Sequence, residues 1–242
     1  SGTDSADEVK KQTSDKLTDI LADARAFLTL CNEADGDNYK QGLSDLTFVA
    51  NADGMSQWDP IDAQQRQIDG RPMITVNKLP TFLHQVTNSL RQNRPGIKVH
   101  PVGGGADVDT ARVRQGMIRH IEYDSNADVC YDTAACSAAA IGFGYFRLIT
   151  EYESPTSRYQ KIVFSRIRNP FQVRFDPMAV EPEGSDQRKC LILSKMTRAD
   201  YTRTWPDASA HDTALAIGDN DIAGNWMFTD QVVVAEFYRV EE

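Results

Sequence analysis

Apolar residues recur every three or four positions in the first part of the chain. Between Val9 and Glu33 they form the stripe of an amphipathic helix, and Asp35-Gly36-Asp37 is expected to end that helix. A second, shorter helix is predicted around Leu43–Val49, before a turn-rich stretch at 51–60. The stripe of the first helix consists of Leu17, Ile20, Leu21, Ala24, Phe27, Leu28 and Cys31.

The same spacing predicts two helices in the middle of the chain. The first begins at Leu79-Pro80, because a proline is tolerated in a first turn, and ends near Asn93-Arg94, because Pro95-Gly96 cannot continue it. Ile97–His100 then alternates as a strand, and a Gly-rich connector leads into a helix over 106–123. The apolar face of the first of these helices is formed by Phe82, Leu83, Val86 and Leu90.

The periodicity changes at Gly142. Before it, the Ala-rich segment 128–141 predicts a buried helix, because small side chains let neighbouring helices approach closely. After it, aromatic and β-branched residues alternate with a period of two, apart from a short helix predicted over Thr197–Trp205. The predicted strands are 145–153, 161–167, 171–175, 189–194 and 232–240. The fold class is therefore α+β, with a helix-rich N-terminal half followed by a largely antiparallel β region.

We divide the chain into three predicted segments. Residues 1–62 hold the N-terminal amphipathic helices, residues 63–141 form a helical segment with a short strand, and residues 142–242 form a β-rich segment. The last predicted strand reaches the final residue without a turn or a polar tail after it. We therefore expect the chain to be part of a longer protein.

Charge is distributed unevenly along the chain, whose net charge is −9. Residues 63–120 contain nine Lys and Arg against three Asp and Glu, whereas the segments on both sides carry a net negative charge. An acidic chain is a poor candidate for wrapping nucleic acid through its phosphates. The basic middle segment is the exception, and its candidate functional residues are Arg91, Arg94, Lys98, Arg112, Arg114 and Arg119.

Residue patterns of catalysis or cofactor binding are missing from the sequence. Gly103-Gly104-Gly105 precedes a helix but is followed by Asp107 and Asp109, which would repel a phosphate and are better placed to cap the helix. The four cysteines and four histidines have no metal-ligand spacing, and Asp219 and Asp221 fit a solvated turn. We expect no enzyme activity, no cofactor and no metal, and we expect reduced, packed thiols.

An aromatic run near Gly142 leaves one alternative function open. Gly142–Arg147 partly matches the aromatic sheet pattern of RNA-recognition modules, although Ile141 replaces the leading basic residue. The other interpretation is a close helix-to-strand turn at the glycines with the rings packed inward. The alternative function is thus a nucleic-acid-binding module that uses the basic segment 91–119 and the aromatic run 143–146.

Several runs of residues together resemble one protein family. The run GRPMITVNKL at 70–79, followed by QVTN at 85–88 and RQNRPGIKVHP at 91–101, is similar to the signature of portal proteins, the head-to-tail connectors of short-tailed bacteriophages. Further similar runs follow in the same order, namely RHIEY at 119–123 with NAD at 126–128, GFGY at 142–145 with ITEY at 149–152, and RIRNPF at 166–171 with DP at 176–177.

The resemblance implies a structural protein of the virion. The protein would form a homo-oligomeric ring at the portal vertex of the virion, a dodecamer in the full-length protein. The ring would assemble in the host cytoplasm, and no membrane would be involved. Implied partners are the terminase packaging motor, a capsid or scaffolding protein, a tail adaptor protein, and double-stranded DNA that passes through without sequence-specific binding. This chain would correspond to the peripheral wing, with the stem, clip and crown downstream.

Within such a ring, the six basic candidates have two possible roles. They are either a solvated face with partners in the acidic segments of the same chain, or a surface that meets an acidic patch on the adjacent subunit.

Overall fold

The computed structural model describes residues 3–94, 96–103, 107–181, 184–206 and 231–241. The fold is α+β, as predicted: helices dominate the first half and antiparallel strands the second. Along the chain the elements are α1 Thr3–Ala50, α2 Pro60–Ile68, α3 Leu79–Gln92, α4 Val108–Asp124, α5 Ala127–Ile141, β1 Phe146–Tyr152, β2 Gln160–Arg166, a 3-10 turn Pro170–Gln172, β3 Val173–Phe175, β4 Lys189–Thr197, α6 Arg198–Thr204 and β5 Gln231–Arg239.

The first helix is longer than the sequence pattern predicts. The expected break at Asp35-Gly36-Asp37 is wrong, because α1 runs through it as one helix to Ala50. A glycine in a helix costs only about 1 kcal/mol relative to alanine. The polar side chains around it also pair along the helix, with Lys40 Nζ 3.2 Å from Asp37 Oδ1 and Asn38 donating to Asp35.

Two compact units make up the chain. One consists of Ser1–Lys40 with Phe171–Glu242, and the other of Gln41–Pro170. The division into segments 1–62, 63–141 and 142–242 stays a prediction.

The first unit packs helix α1 on a three-stranded antiparallel sheet of order β3-β4-β5. Leu191 on β4 pairs with Phe237 on β5, and the Phe237 ring lies 6.0 Å from that of Phe27 on α1. The buried core of this unit consists of Phe27, Leu28, Cys31, Leu191 and Leu193. Helix α6 follows β4 directly, and the Thr197 hydroxyl caps its first turn.

A buried arginine fixes β3 to α1 in this unit. Arg174 is only 6% exposed, and its guanidinium lies 4.3 Å from the ring centre of Tyr39. It donates hydrogen bonds to Asn32 Oδ1 and to the Phe171 carbonyl. The Tyr39 hydroxyl in turn donates to the Val173 carbonyl at 2.8 Å. The buried charge is therefore stabilised by an amide oxygen, a backbone carbonyl and an aromatic face.

In the second unit, α5 packs against α3, α4 and the β1-β2 hairpin. The hairpin register runs from Phe146 opposite Arg166 to Tyr152 opposite Gln160. The ring of Tyr131 on α5 makes edge contacts with Phe146 and Phe164, with centroids 5.2 and 5.5 Å apart. The predicted helix is confirmed, but it is buried on one face only, through Ala127, Cys130, Ala134 and Ile141.

The turn from α5 to β1 depends on its glycines. Gly142 ends the helix at φ +89, a left-handed conformation that glycine adopts without strain. A Cβ on Gly144 would overlap the carbonyl oxygen of Ala134. The predicted close turn at these glycines is therefore confirmed.

The predicted strand at Ile97–His100 is wrong, because residues 96–103 form no strand. A period of two over four residues is a short signal, and a strand exists only where a neighbouring strand accepts its hydrogen bonds. Among the helices described, none is long and apolar enough to cross a membrane.

Candidate assembly surface

The first two basic candidates lie at the C-terminal end of α3. The helix ends at Gln92, and the Asn93 backbone N–H donates to the Ser89 carbonyl at 3.1 Å. Arg91 is therefore in the last turn, and Arg94 follows just after the helix. Both side chains reach α5, which packs against α3.

Two aspartates of α5 bind these arginines. Arg91 Nε donates to Asp132 Oδ2 at 3.0 Å, and Arg94 Nη2 lies 3.3 Å from Asp132 Oδ1. Arg94 also pairs with Asp128 through its other terminal nitrogen. Asp128 and Asp132 are four residues apart on one helix face, where two like charges would repel each other without the arginines.

This cluster is partly exposed, with 48% of the Arg91 side chain and 25% of the Asp132 side chain accessible. Exposed pairs contribute up to about 1 kcal/mol each, so the cluster contributes modestly to stability. It gives Arg91 and Arg94 partners in their own chain, in the acidic part that follows the basic segment 63–120. Their contact with a neighbouring subunit stays a prediction.

The remaining candidates lie on α4 and on the segment before it. Asp107 caps α4, as predicted, by accepting hydrogen bonds from the backbone of Asp109 and Thr110. The Thr110 hydroxyl also donates a hydrogen bond to the Asp107 carboxylate. This bond, together with the two backbone N–H groups, holds the pKa of Asp107 below its usual value. Arg112 Nη1 lies 3.4 Å from Asp109 Oδ1 in an exposed pair. Within the part of the chain that the structure describes, Lys98, Arg114 and Arg119 form no ion pair.

The structure brings Arg94 and Arg119 together in an open cleft of about 420 Å³ between the ends of α3, α4 and α5. Tyr123 lines the same cleft and is 88% exposed. On the inner side the Tyr131 hydroxyl donates to Glu122 Oε1 at 2.9 Å. Burial, and then the hydrogen bond to Glu122, raises the pKa of Tyr131 to about 12, so this phenol remains protonated. The cleft thus presents arginine, carboxylate and tyrosine side chains together.

Arg114 is separated from this cleft. It lines a second depression of about 340 Å³ with Val99, His100 and Asp107. Lys98 is exposed on the segment before α4. The six candidates therefore do not form one surface: Arg91 and Arg94 share Asp132, Arg94 also meets Arg119 at the first cleft, and Arg114 lies near His100 at the second. Lys98 and Arg112 are exposed outside the linings of these two clefts.

The sequence predicted partners in the acidic segments of the same chain as one of two roles for the arginines, but it did not identify Asp128 and Asp132 as those partners. The signal was present as the spacing of Asp128 and Asp132, but an i, i+4 acidic pair also fits a solvated helix face. A further missed pair joins α4 to β2, where Lys161 Nζ lies 2.9 Å from Asp124 Oδ2. The hydrogen bond from Lys161 holds the pKa of Asp124 below its usual value.

The aromatic run 143–146 packs largely on its own unit. The rings of Phe143 and Tyr145 lie 6.0 Å apart and are half-buried. Phe146 contacts Tyr131 and Phe164. Base stacking needs open ring faces, which this packing restricts.

Metal ligands do not cluster in the residues that the structure describes: no group of three His, Cys, Asp or Glu side chains is arranged to hold an ion. Cys31 and Cys130 are buried free thiols. The predictions for Gly104, Gly105, His211, Asp219 and Asp221 lie outside the described residues.

One comparison with known proteins places the chain in a family. The family model described as phage P22-like portal protein matches residues 25–242. This range includes all of the runs at 70–177 that resemble portal proteins, the ion-pair cluster of α3 and α5, and both compact units apart from the start of α1. The chain therefore belongs to the phage P22-like portal protein family.

Proposed function

We propose that this protein is a subunit of the ring through which the phage genome enters and leaves the capsid, and that it supports packaging and tail attachment. The family match over residues 25–242 is the observation that carries the proposal. Portal proteins are a structural family and not an enzyme family, and their role belongs to the portal vertex of the virion.

The net charge of −9 fits a ring that DNA passes without being held, although this argument applies mostly to the channel and less to a peripheral part of the ring such as this chain. Like charges repel, so an acidic surface keeps double-stranded DNA from binding to it. We expect twelve copies in the full-length ring, assembled in the host cytoplasm. The proposed partners are the terminase motor, a capsid or scaffolding protein and a tail adaptor protein.

Part of the basic surface is proposed to meet an acidic patch on the adjacent subunit. The residues that support this best are Lys98, Arg114 and Arg119, because they have no ion-pair partner among the described residues and are exposed. Arg91, Arg94 and Arg112 already neutralise aspartates of their own chain. They are weaker candidates, since a second partner would have to compete with the first.

Nucleic-acid binding remains the alternative prediction, but no observation favours it. Two of the six basic residues are paired with α5, and the rings of Phe143, Tyr145 and Phe146 contact other rings, although Phe146 is still 41% exposed. A module of this type would bind short oligonucleotides at physiological salt.

Negative-stain electron microscopy of the full-length protein tests the proposed function. We expect class averages of rings with a central hole and a uniform subunit number. A full-length protein that stays monomeric at micromolar concentration, or forms only irregular aggregates, would contradict the proposal.

A further inference from the structure

Helix α3 carries an apolar stripe that its own unit leaves uncovered. Phe82, Val86 and Leu90 recur at intervals of four residues, and their exposed fractions are 62%, 53% and 48%. The sequence predicts that these three residues and Leu83 form one apolar face of the helix. Among the residues that the structure describes, nothing buries Phe82, Val86 or Leu90.

The stripe is exposed because α3 turns a different side toward α5. Thr87 is 3% exposed, and Arg91 binds Asp132 of α5. Thr87 and Arg91 each follow a stripe residue by one position, and one position turns an α-helix by about 100°. The helix thus buries Thr87, whose hydroxyl donates to the His84 carbonyl of the same helix, and pairs Arg91 with α5, while its most apolar side stays exposed among the described residues. An amphipathic helix normally does the reverse, which indicates that another surface covers the stripe.

The free surface of α3 also lacks charge. Arg91, which is paired, is the one Lys, Arg, Asp or Glu between Leu79 and Gln92, in a chain with 25% charged residues. Beside the stripe lies a shallow groove formed by hydroxyl, amide and imidazole side chains: Thr81, His84, Gln85, Asn88, Ser89 and Gln92. Depletion of charge around exposed apolar and aromatic side chains is typical of the centre of a protein interface.

We infer that the stripe Phe82–Val86–Leu90 is a contact between copies of this chain, buried against the neighbouring subunit. The inference rests on the proposed function, because a ring joins each subunit to the next through two different patches. The same unit offers a second apolar patch on α4, where Val113 and Met117 are 63% and 58% exposed. Arg112 and Arg114 border this patch along the chain, and its apolar side chains match the uncharged stripe better than a charged partner such as DNA would.

Paired arginine substitutions in the full-length protein test the inference. Val86→Arg places a charge in the stripe, whereas Gln85→Arg places the same side chain one position earlier, on the polar groove. Burial of an unpaired charge in an interface should reduce ring yield by at least roughly tenfold in Val86→Arg. Gln85→Arg should assemble like the unmodified protein. Both residues are exposed, so both variants should melt within a few degrees of it by circular dichroism.

A photo-crosslinking amino acid at position 86 identifies what covers the stripe. We expect a covalent dimer of the full-length chain. Rings from Val86→Arg at normal yield, or a crosslink to a different protein only, would overturn the inference and leave the proposed function intact. A crosslinked dimer from a protein that never forms rings would retain the inference and contradict the proposed function. Absence of both dimer and rings would contradict both.

Discussion

At the scale of single residues, the tightest steric constraint lies at Gly144. Its Cα passes so close to α5 that a methyl group would overlap the Ala134 carbonyl oxygen. Backbone cannot yield as a flexible side chain can, so Gly144→Ala should lower the free energy of unfolding by about 3 kcal/mol. Urea denaturation of the purified protein measures this change.

Gly116→Ala is the matched control for Gly144→Ala. Gly116 lies in α4, and a methyl group added there would have nothing within 4 Å. Alanine has the higher helix propensity, so this change should raise the free energy of unfolding by about 1 kcal/mol. Equal effects of the two substitutions would argue against the close turn between α5 and β1.

The cysteines should differ in reactivity. Burial, as the main cause, raises the pKa of Cys31 to about 11, so that only about one thiol in a thousand is ionised at pH 8. Cys136 is partly exposed, whereas Cys31 is 0% exposed. Alkylation at pH 8 followed by peptide mass mapping should find Cys136 modified well before Cys31. Labelling of Cys31 should increase as the pH rises toward its pKa, and fast labelling of Cys31 at pH 8 would disprove its burial.

Residue-level predictions succeeded where the cause is local. The cap at Asp107 was predictable, because a side chain that accepts from the next backbone N–H groups needs only its own sequence neighbours. The pairing of Arg94 with Asp128 was not, because those residues are 34 positions apart and meet only through the packing of α3 on α5.

At the scale of elements, α1 shows that one glycine does not end a helix. Gly36 lies inside α1, where an added methyl group would have nothing within 4 Å. Gly36→Ala should therefore raise the free energy of unfolding by about 1 kcal/mol and leave the helical content by circular dichroism unchanged. A destabilising effect would mean that the chain needs the turn the sequence pattern predicted there.

The strands and helices of the second half were predicted to within a few residues. The predicted strand 161–167 is observed at Gln160–Arg166, and the short helix at 197–205 is observed at Arg198–Thr204. Both have strong local patterns and clear boundaries. Ile97–His100 failed because a strand requires a partner that the local pattern does not specify. The exposed stripe of α3 was missed for a similar reason: periodicity identifies an apolar face but not the surface that covers it.

At the scale of the whole molecule, the free basic residues should affect assembly more than folding. Lys98→Glu, Arg114→Glu and Arg119→Glu together should lower ring yield in the full-length protein, because they would repel the proposed acidic patch. Single exposed pairs contribute up to about 1 kcal/mol, so the triple variant is the informative one. Ring yield as a function of salt concentration, measured by sedimentation, reports the effect.

A second triple variant controls for net charge. Lys16→Glu, Arg158→Glu and Arg168→Glu change the charge equally at exposed positions outside the candidate surface. This control should form rings with normal yield and salt dependence. If both triple variants behave alike, the basic candidates have no specific part in assembly.

The most direct test of the portal assignment is the position of the chain in the phage particle. Immunogold labelling of particles with antibodies against this chain, on capsids opened enough to admit them, shows where it lies. A portal subunit occupies one vertex, so we predict label at a single vertex of each particle, the one that bears the tail. Label spread over all vertices or over the capsid faces would contradict the assignment.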